Sequence, residues 1–156
     1  MNTIGLDVSP LRIGWAYYED TTLTNHGVIL FETDEWVTPG MRAAAIEDTI
    51  KHDTVHGIGM EAVFVGPNKL GSIRAAMALG QVESICDYLW PDARQKILTA
   101  TQWRSACGIQ QGGKQPVWEW AIKRTMDDGT HAPLNQDAAD AIAIGHAAHL
   151  WFANNA

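Results

Sequence analysis

Three short apolar, β-rich segments are packed into the first 31 residues before any helical pattern begins: TIGL at 3–6, IGWAYY at 13–18 and GVILF at 27–31. The turn-prone VSPLR separates the first two, so they read as a hairpin with Asp7 at the end of its first strand. Beyond them the pattern alternates. A helix is expected over about 41–52, then a short buried strand, GIGM at 57–60, ending at Glu61. Helical spacing of Ile73, Ala76, Met77, Gly80, Ser84 and Leu89 predicts a helix over about 71–90, with Pro91 marking its end. KIL at 96–98 reads as the last strand. Helices follow over about 102–107, 115–126 and 136–152, separated by the flexible GIQQGG and by DDGT. Three antiparallel strands followed by alternating helices and strands predict an α/β protein with a mixed sheet.

The 156 residues fit one domain spanning 1–156, large enough to bury a core. No apolar run approaches the roughly 20 residues of a membrane span. The opening MNTIGLD lacks the basic stretch and apolar region of a signal peptide, so a cytoplasmic protein is expected. The only cysteines, Cys86 and Cys107, lack metal-ligand spacing and read as buried thiols.

A formal net charge of −7 argues at first against a nucleic-acid partner. Its distribution reverses that impression. Residues 69–124 hold Lys69, Arg74, Arg94, Lys96, Arg104, Lys114, Lys123 and Arg124 against Glu83, Asp87, Asp92 and Glu119, a balance of +4, leaving −11 on the rest. Four of the remaining acids are candidates for a site, and two divalent cations would bring the whole chain to −3.

Asp137 and Asp140 lie three apart at the start of a strongly helical segment and project from one otherwise apolar face. Taken alone, acids there are ordinary partners of the helix dipole. Asp7 and Glu61 add weight, because each ends an apolar strand, where a carboxylate is costly unless paired or metal-bound. Carboxylates about 4 Å apart repel by roughly 4 kcal/mol at an effective dielectric of 20, so four together call for cations or protons. Oxygen-only donors favour Mg²⁺, with Mn²⁺ able to substitute, and a two-metal site suits phosphodiester cleavage.

These residues carry a resemblance to the RuvC-type Holliday junction resolvases, in the short form found in bacteriophages, running nearly end to end. IGLDVSPLRIGWA resembles the family's first strand and turn with its catalytic Asp. MEAVFVGPNKLGSIRAAMALGQVES resembles the segment with the catalytic Glu and the helix after it. CGIQQGGKQPV resembles the glycine-containing loop with an essential Lys, and NQDAADAIAIGHAAH resembles the C-terminal helix with two acids.

The resemblance implies an RNase H-like fold, a mixed five-stranded sheet with helices on both faces, and Mg²⁺-dependent cutting of branched DNA that leaves 5′-phosphates. It implies Asp7, Glu61, Asp137 and Asp140 as metal ligands and Lys114 as the lysine at the scissile phosphate. Phe64 matches an aromatic that inserts at the junction. Lys69, Arg74, Trp103 and Arg104 are the remaining expected DNA contacts, although Trp103 stands where the family commonly has a basic residue. The helix after Glu61 forms the family's homodimer, and here it offers the small residues Gly71, Ala75, Ala76, Ala78 and Gly80. Two sites related by a two-fold axis suit two symmetric cuts. A phage-encoded chain would work in the bacterial host cytoplasm.

Two other functions fit the same residues: a broader structure-selective nuclease acting on forks and flaps, and a non-catalytic nucleic-acid-binding module of the same fold. Plainer roles exist for single residues as well, Phe64 as a core aromatic and Lys114 as a solvated charge. Trp15, Trp90, Trp118, Trp120 and Trp151 read as core or interface, and Trp36 as a further DNA contact. The pairs His52/His56 and His146/His149 read as surface or hydrogen-bonded helix positions.

Overall fold

The computed structural model describes residues 1–32, 36–52, 54–110 and 112–155. Strands β1 (Asn2–Val8), β2 (Arg12–Glu19) and β3 (Thr22–Leu30) form an antiparallel meander. Strands β4 (Gly57–Glu61) and β5 (Arg94–Leu98) join it in parallel on the other side of β1, giving the order β3-β2-β1-β4-β5. The helices are α1 (Pro39–Thr49), α2 (Lys69–Leu89), α3 (Ala100–Ala106), α4 (Gln115–Asp127) and α5 (Gln136–Asn154). The expected mixed five-stranded sheet is therefore present.

Several boundaries differ from expectation by a few residues, and three of them have a clear local reason. β3 begins at Thr22 rather than residue 27, because it pairs with β2 along its whole length and turns its polar Thr22, Thr24 and Asn25 to solvent. Asp20, with φ +51°, closes the tight turn between them. Helix α1 starts at Pro39, since the Thr38 side chain accepts from the Met41 N–H and proline suits the first helical position. Asn68 caps α2 in the same way through the Gly71 N–H, so that helix begins at Lys69.

Alternation along the strands divides the core. Ile4, Leu6, Ile13, Trp15, Ile58 and Met60 pack on one face with Ile46 of α1 and Val82, Ile85 and Cys86 of α2. The other face has glycines along its centre, with Ala16, Tyr18 and Leu98 packed around them. A methyl group at Gly5 would overlap the Ala141 carbonyl and the backbone of Gly145; one at Gly59 would overlap the methyl of Ala148. At Gly14 it would strike the Asp137 carbonyl, and at Gly57 the Phe152 ring. Helix α5 answers with Ala138, Ala139, Ala141, Ala147 and Ala148, all buried, and so lies directly on the backbone of β1, β2 and β4. Helices α3 and α4 pack against α5. Helices thus cover both faces. No helix among the described residues is long and apolar enough to cross a membrane.

The glycine contacts also fix direction. Asp137 at the start of α5 lies over Gly14, opposite Asp7, whereas Phe152 near its end lies over Gly57 at the start of β4. The N-terminus of α5 therefore stands at the ends of β1 and β4 where Asp7 and Glu61 sit.

Candidate active site

Strand register brings the first two acids together. Gly5 pairs with Gly59 and Leu6 with Met60, so Asp7 and Glu61 come one step further along adjacent parallel strands. Each lies two residues beyond a glycine of the α5 face and therefore points to that face. Asp137 and Asp140, in the first turns of α5, meet them there.

The electrostatics show four acids competing for one region. Burial, then the charges of Asp140, Glu61 and Asp137, pushes the Asp7 carboxyl up to about 8. Glu61 is raised by burial and by Asp140. Asp140 is raised by burial and by Asp137, against a 2.7 Å hydrogen bond from the Gln136 amide that favours its charged form. Among the described residues no three carboxylate, imidazole or thiol groups close around a single point. The acids form an open cluster. Hard oxygen donors desolvated together fit divalent cations of the Mg²⁺ type.

Three cations border the cluster. Arg12, the first residue of β2, reaches Asp137 with its Nε 3.4 Å from Oδ2 and opposes the rise at Asp7. Arg104 of α3 favours the charged forms of Glu61 and Asp140. Its Nη1 donates to the Gly112 carbonyl at 2.7 Å, and both terminal nitrogens approach the Gly113 carbonyl at 3.3 Å, so it also ties down the glycine loop. That tie delivers Lys114, at the head of α4, to where its exposed ammonium lowers Asp140.

The expected DNA contacts divide. Phe64 is 85% exposed in the segment just after Glu61, beside Val65 at 77%, which excludes a core role. Lys69 is exposed at the start of α2, and exposed Arg74 stacks its guanidinium over the half-exposed Trp36 ring, 5.1 Å from its centroid. Trp103 corrects its expectation. At 2% exposure its ring has no face left for a base or phosphate, and it packs among Leu98, Val117 and Ile144. Its indole N–H nonetheless favours the charged form of Glu61 from below, although no acceptor among the described residues meets hydrogen-bond geometry. The histidine expectation also needs correction, since the buried Nδ1 atoms of His146 and His149 find no partner among the described residues. Burial holds both rings neutral, with His146 pushed down to about 4. Both cysteines are shielded thiols pushed up to about 12 by burial.

Sequence reasoning missed Arg12 and Arg42. Arg12 was findable, since Gly14 pairs with Asp7 and the residue two earlier shares its face. Arg42 of α1 is 1% exposed and donates to the Pro10 carbonyl at 2.6 Å and to Gln81 of α2 at 2.9 Å. It fastens the turn between β1 and β2 to both helices. An arginine among alanines in an amphipathic helix gives no sequence signal of such a role.

No family model and no curated protein sequence matches the chain. Solved structures do. Thermus thermophilus RuvC in complex with a Holliday junction substrate superposes with a TM-score of 0.79 at 18% identity, covering 99% of this chain and 96% of that one. A second Thermus thermophilus RuvC structure gives 0.72 at 17% identity with the same coverage. The yeast mitochondrial Holliday junction resolvase Ydc2 gives 0.60 at 14% identity, covering 97% of this chain and 78% of that one. The fold is that of RuvC, an RNase H-like α/β architecture.

Proposed function

We propose that this chain is a Mg²⁺-dependent endonuclease that resolves Holliday junctions and related branched DNA. The observation that carries the reading is the convergence of Asp7, Glu61, Asp137 and Asp140 at one end of the sheet, where burial and mutual repulsion leave Asp7 at about 8. A fold has little physical use for such a cluster unless something positive completes it. The likeness to a RuvC structure bound to a Holliday junction supports the choice of substrate.

In this reading Asp7, Glu61, Asp137 and Asp140 would hold two divalent cations, which would supply water activation and stabilisation of the leaving oxygen of the cut strand. Gln136 orients Asp140, Trp103 supports Glu61 from the core, and Lys114 places positive charge where negative charge develops on the phosphate. Phe64, exposed beside the site, wedges against an unpaired base at the branch. Two copies joined through α2 present two sites for paired cuts.

The test is cleavage of a mobile four-way junction, mapped on all four strands with Mg²⁺ or Mn²⁺. Symmetric nicks bearing 5′-phosphates are expected, with Asp7→Asn inactive. Intact junctions, or an Asp7→Asn protein that cuts normally, would overturn the reading.

A further inference from the structure

We infer that Arg12 is a DNA-phosphate contact at this site, serving in the free protein as a resident counter-ion of the acids. The inference rests on reading the site as one that receives DNA. Three observations carry it. Arg12 is a cation at the carboxylate cluster with most of its hydrogen-bonding capacity unspent among the described residues, where its side chain makes a single ion pair, long at 3.4 Å, to Asp137. Arg104 differs, its terminal nitrogens being engaged by the glycine loop. The Arg12 side chain is also 54% exposed and borders an open groove of about 480 Å³, in which it is the one cation among the described residues, shared with Pro10, Leu11, Leu30 and the acid Glu32.

The third observation is that the turn carrying it is built, not loose. The Ser9 hydroxyl and backbone N–H both bond the Arg12 carbonyl, and the Ser9 hydroxyl also accepts from the Arg12 N–H. The buried Arg42 guanidinium grips the Pro10 carbonyl from beneath, and the Phe31 N–H holds the Leu11 carbonyl. A rigid base with a free, forked head suits bidentate recognition of a phosphate.

The chemistry then follows from charge balance. Carboxylates gathered this closely repel as they ionise, and the Arg12 guanidinium beside Asp137 offsets part of that repulsion. Divalent cations held by the Asp137 oxygens would weaken its hold on Arg12, leaving the guanidinium at the rim of the groove available to a phosphate of the bound strand.

The test is the salt dependence of DNA binding, measured on a synthetic four-way junction with Ca²⁺ in place of Mg²⁺, for the wild type and for Arg12→Gln, Arg12→Ala and Arg12→Lys. Losing one phosphate contact should weaken binding about tenfold at fixed salt. It should also lower the slope of log Kd against log salt by about one. Arg12→Lys, keeping the charge, should retain the slope, which a merely structural role would not predict. Neutral variants that fold and match the wild-type affinity and slope would overturn the inference. A wild type with no preference for junctions over plain duplex sinks the branched-DNA reading alone, because the slope comparison can still be made on duplex. Failure to bind any DNA sinks both.

Discussion

A carboxyl that titrates near 8 instead of near 4 ties the fold to pH in a definite direction. Asp7 binds its proton more tightly when folded than when unfolded. The Asp7 contribution to stability without metal is therefore fully present below about pH 4, where both states are protonated, and is lost as pH climbs through about 8. That loss approaches about 6 kcal/mol. Thermal melts in chelator at pH 5 and pH 8 should show a lower Tm at the higher pH. Asp7→Asn should flatten that difference, and Mg²⁺ should reverse it in the wild type. An unchanged Tm across that range would mean that burial and the neighbouring acids do not hold the Asp7 proton. Phe64 makes the opposite case. It is so exposed that Phe64→Ala should leave stability within about 0.5 kcal/mol of wild type while slowing junction cleavage roughly tenfold. Equal rates on junctions would return it to the status of a surface aromatic.

Among the elements, α5 does the most to make the site, and its position is set by what the strands lack. Gly5→Ala should be severely destabilising, about 3 kcal/mol or more, because the added methyl meets backbone that cannot rotate away. Gly80→Ala on α2 meets nothing within 4 Å and should stabilise that helix by about 0.5–1 kcal/mol. Urea titrations of the two variants test the pair; a Gly5→Ala protein as stable as wild type would mean that α5 does not rest on the sheet. Most elements were legible in sequence because apolar period and turn residues agree: the hairpin around VSPLR, the strand ending at Glu61, and the helix opening with Asp137 and Asp140. The first part of β3 was not, since an edge strand can be polar on its solvent face and leaves no apolar run. Trp103 misled because an aromatic beside an arginine reads alike in a core and at a surface. Only packing against α5 separates them.

At the scale of the whole molecule, the open question is what covers α2. Leu70, Ile73 and Met77 rise from it at helical spacing, each about half exposed, and no other described element covers them. A second copy docked by its own α2 would bury this stripe on both sides, as an isologous interface requires. Met77→Glu should then shift sedimentation from dimer to monomer with the fold intact, and junction cleavage should change from paired to single nicks. A wild type that sediments as a monomer at high concentration would sink the dimer. The overall charge of −7 misleads at this scale too. Four of the acids meet at the site with Arg12, Arg104 and Lys114 beside them, so the local field there is unlike the average.

The glycine-lined face under α5 has one more consequence, for anyone who substitutes every position and scores survival. Gly5, Gly14 and Gly59 carry no reactive group and touch no substrate, yet they should prove as intolerant as the carboxylates themselves. In such a map they would pass for members of the catalytic machinery. Their contribution is an absence of atoms, which sets the height at which Asp137 and Asp140 hang above Asp7 and Glu61.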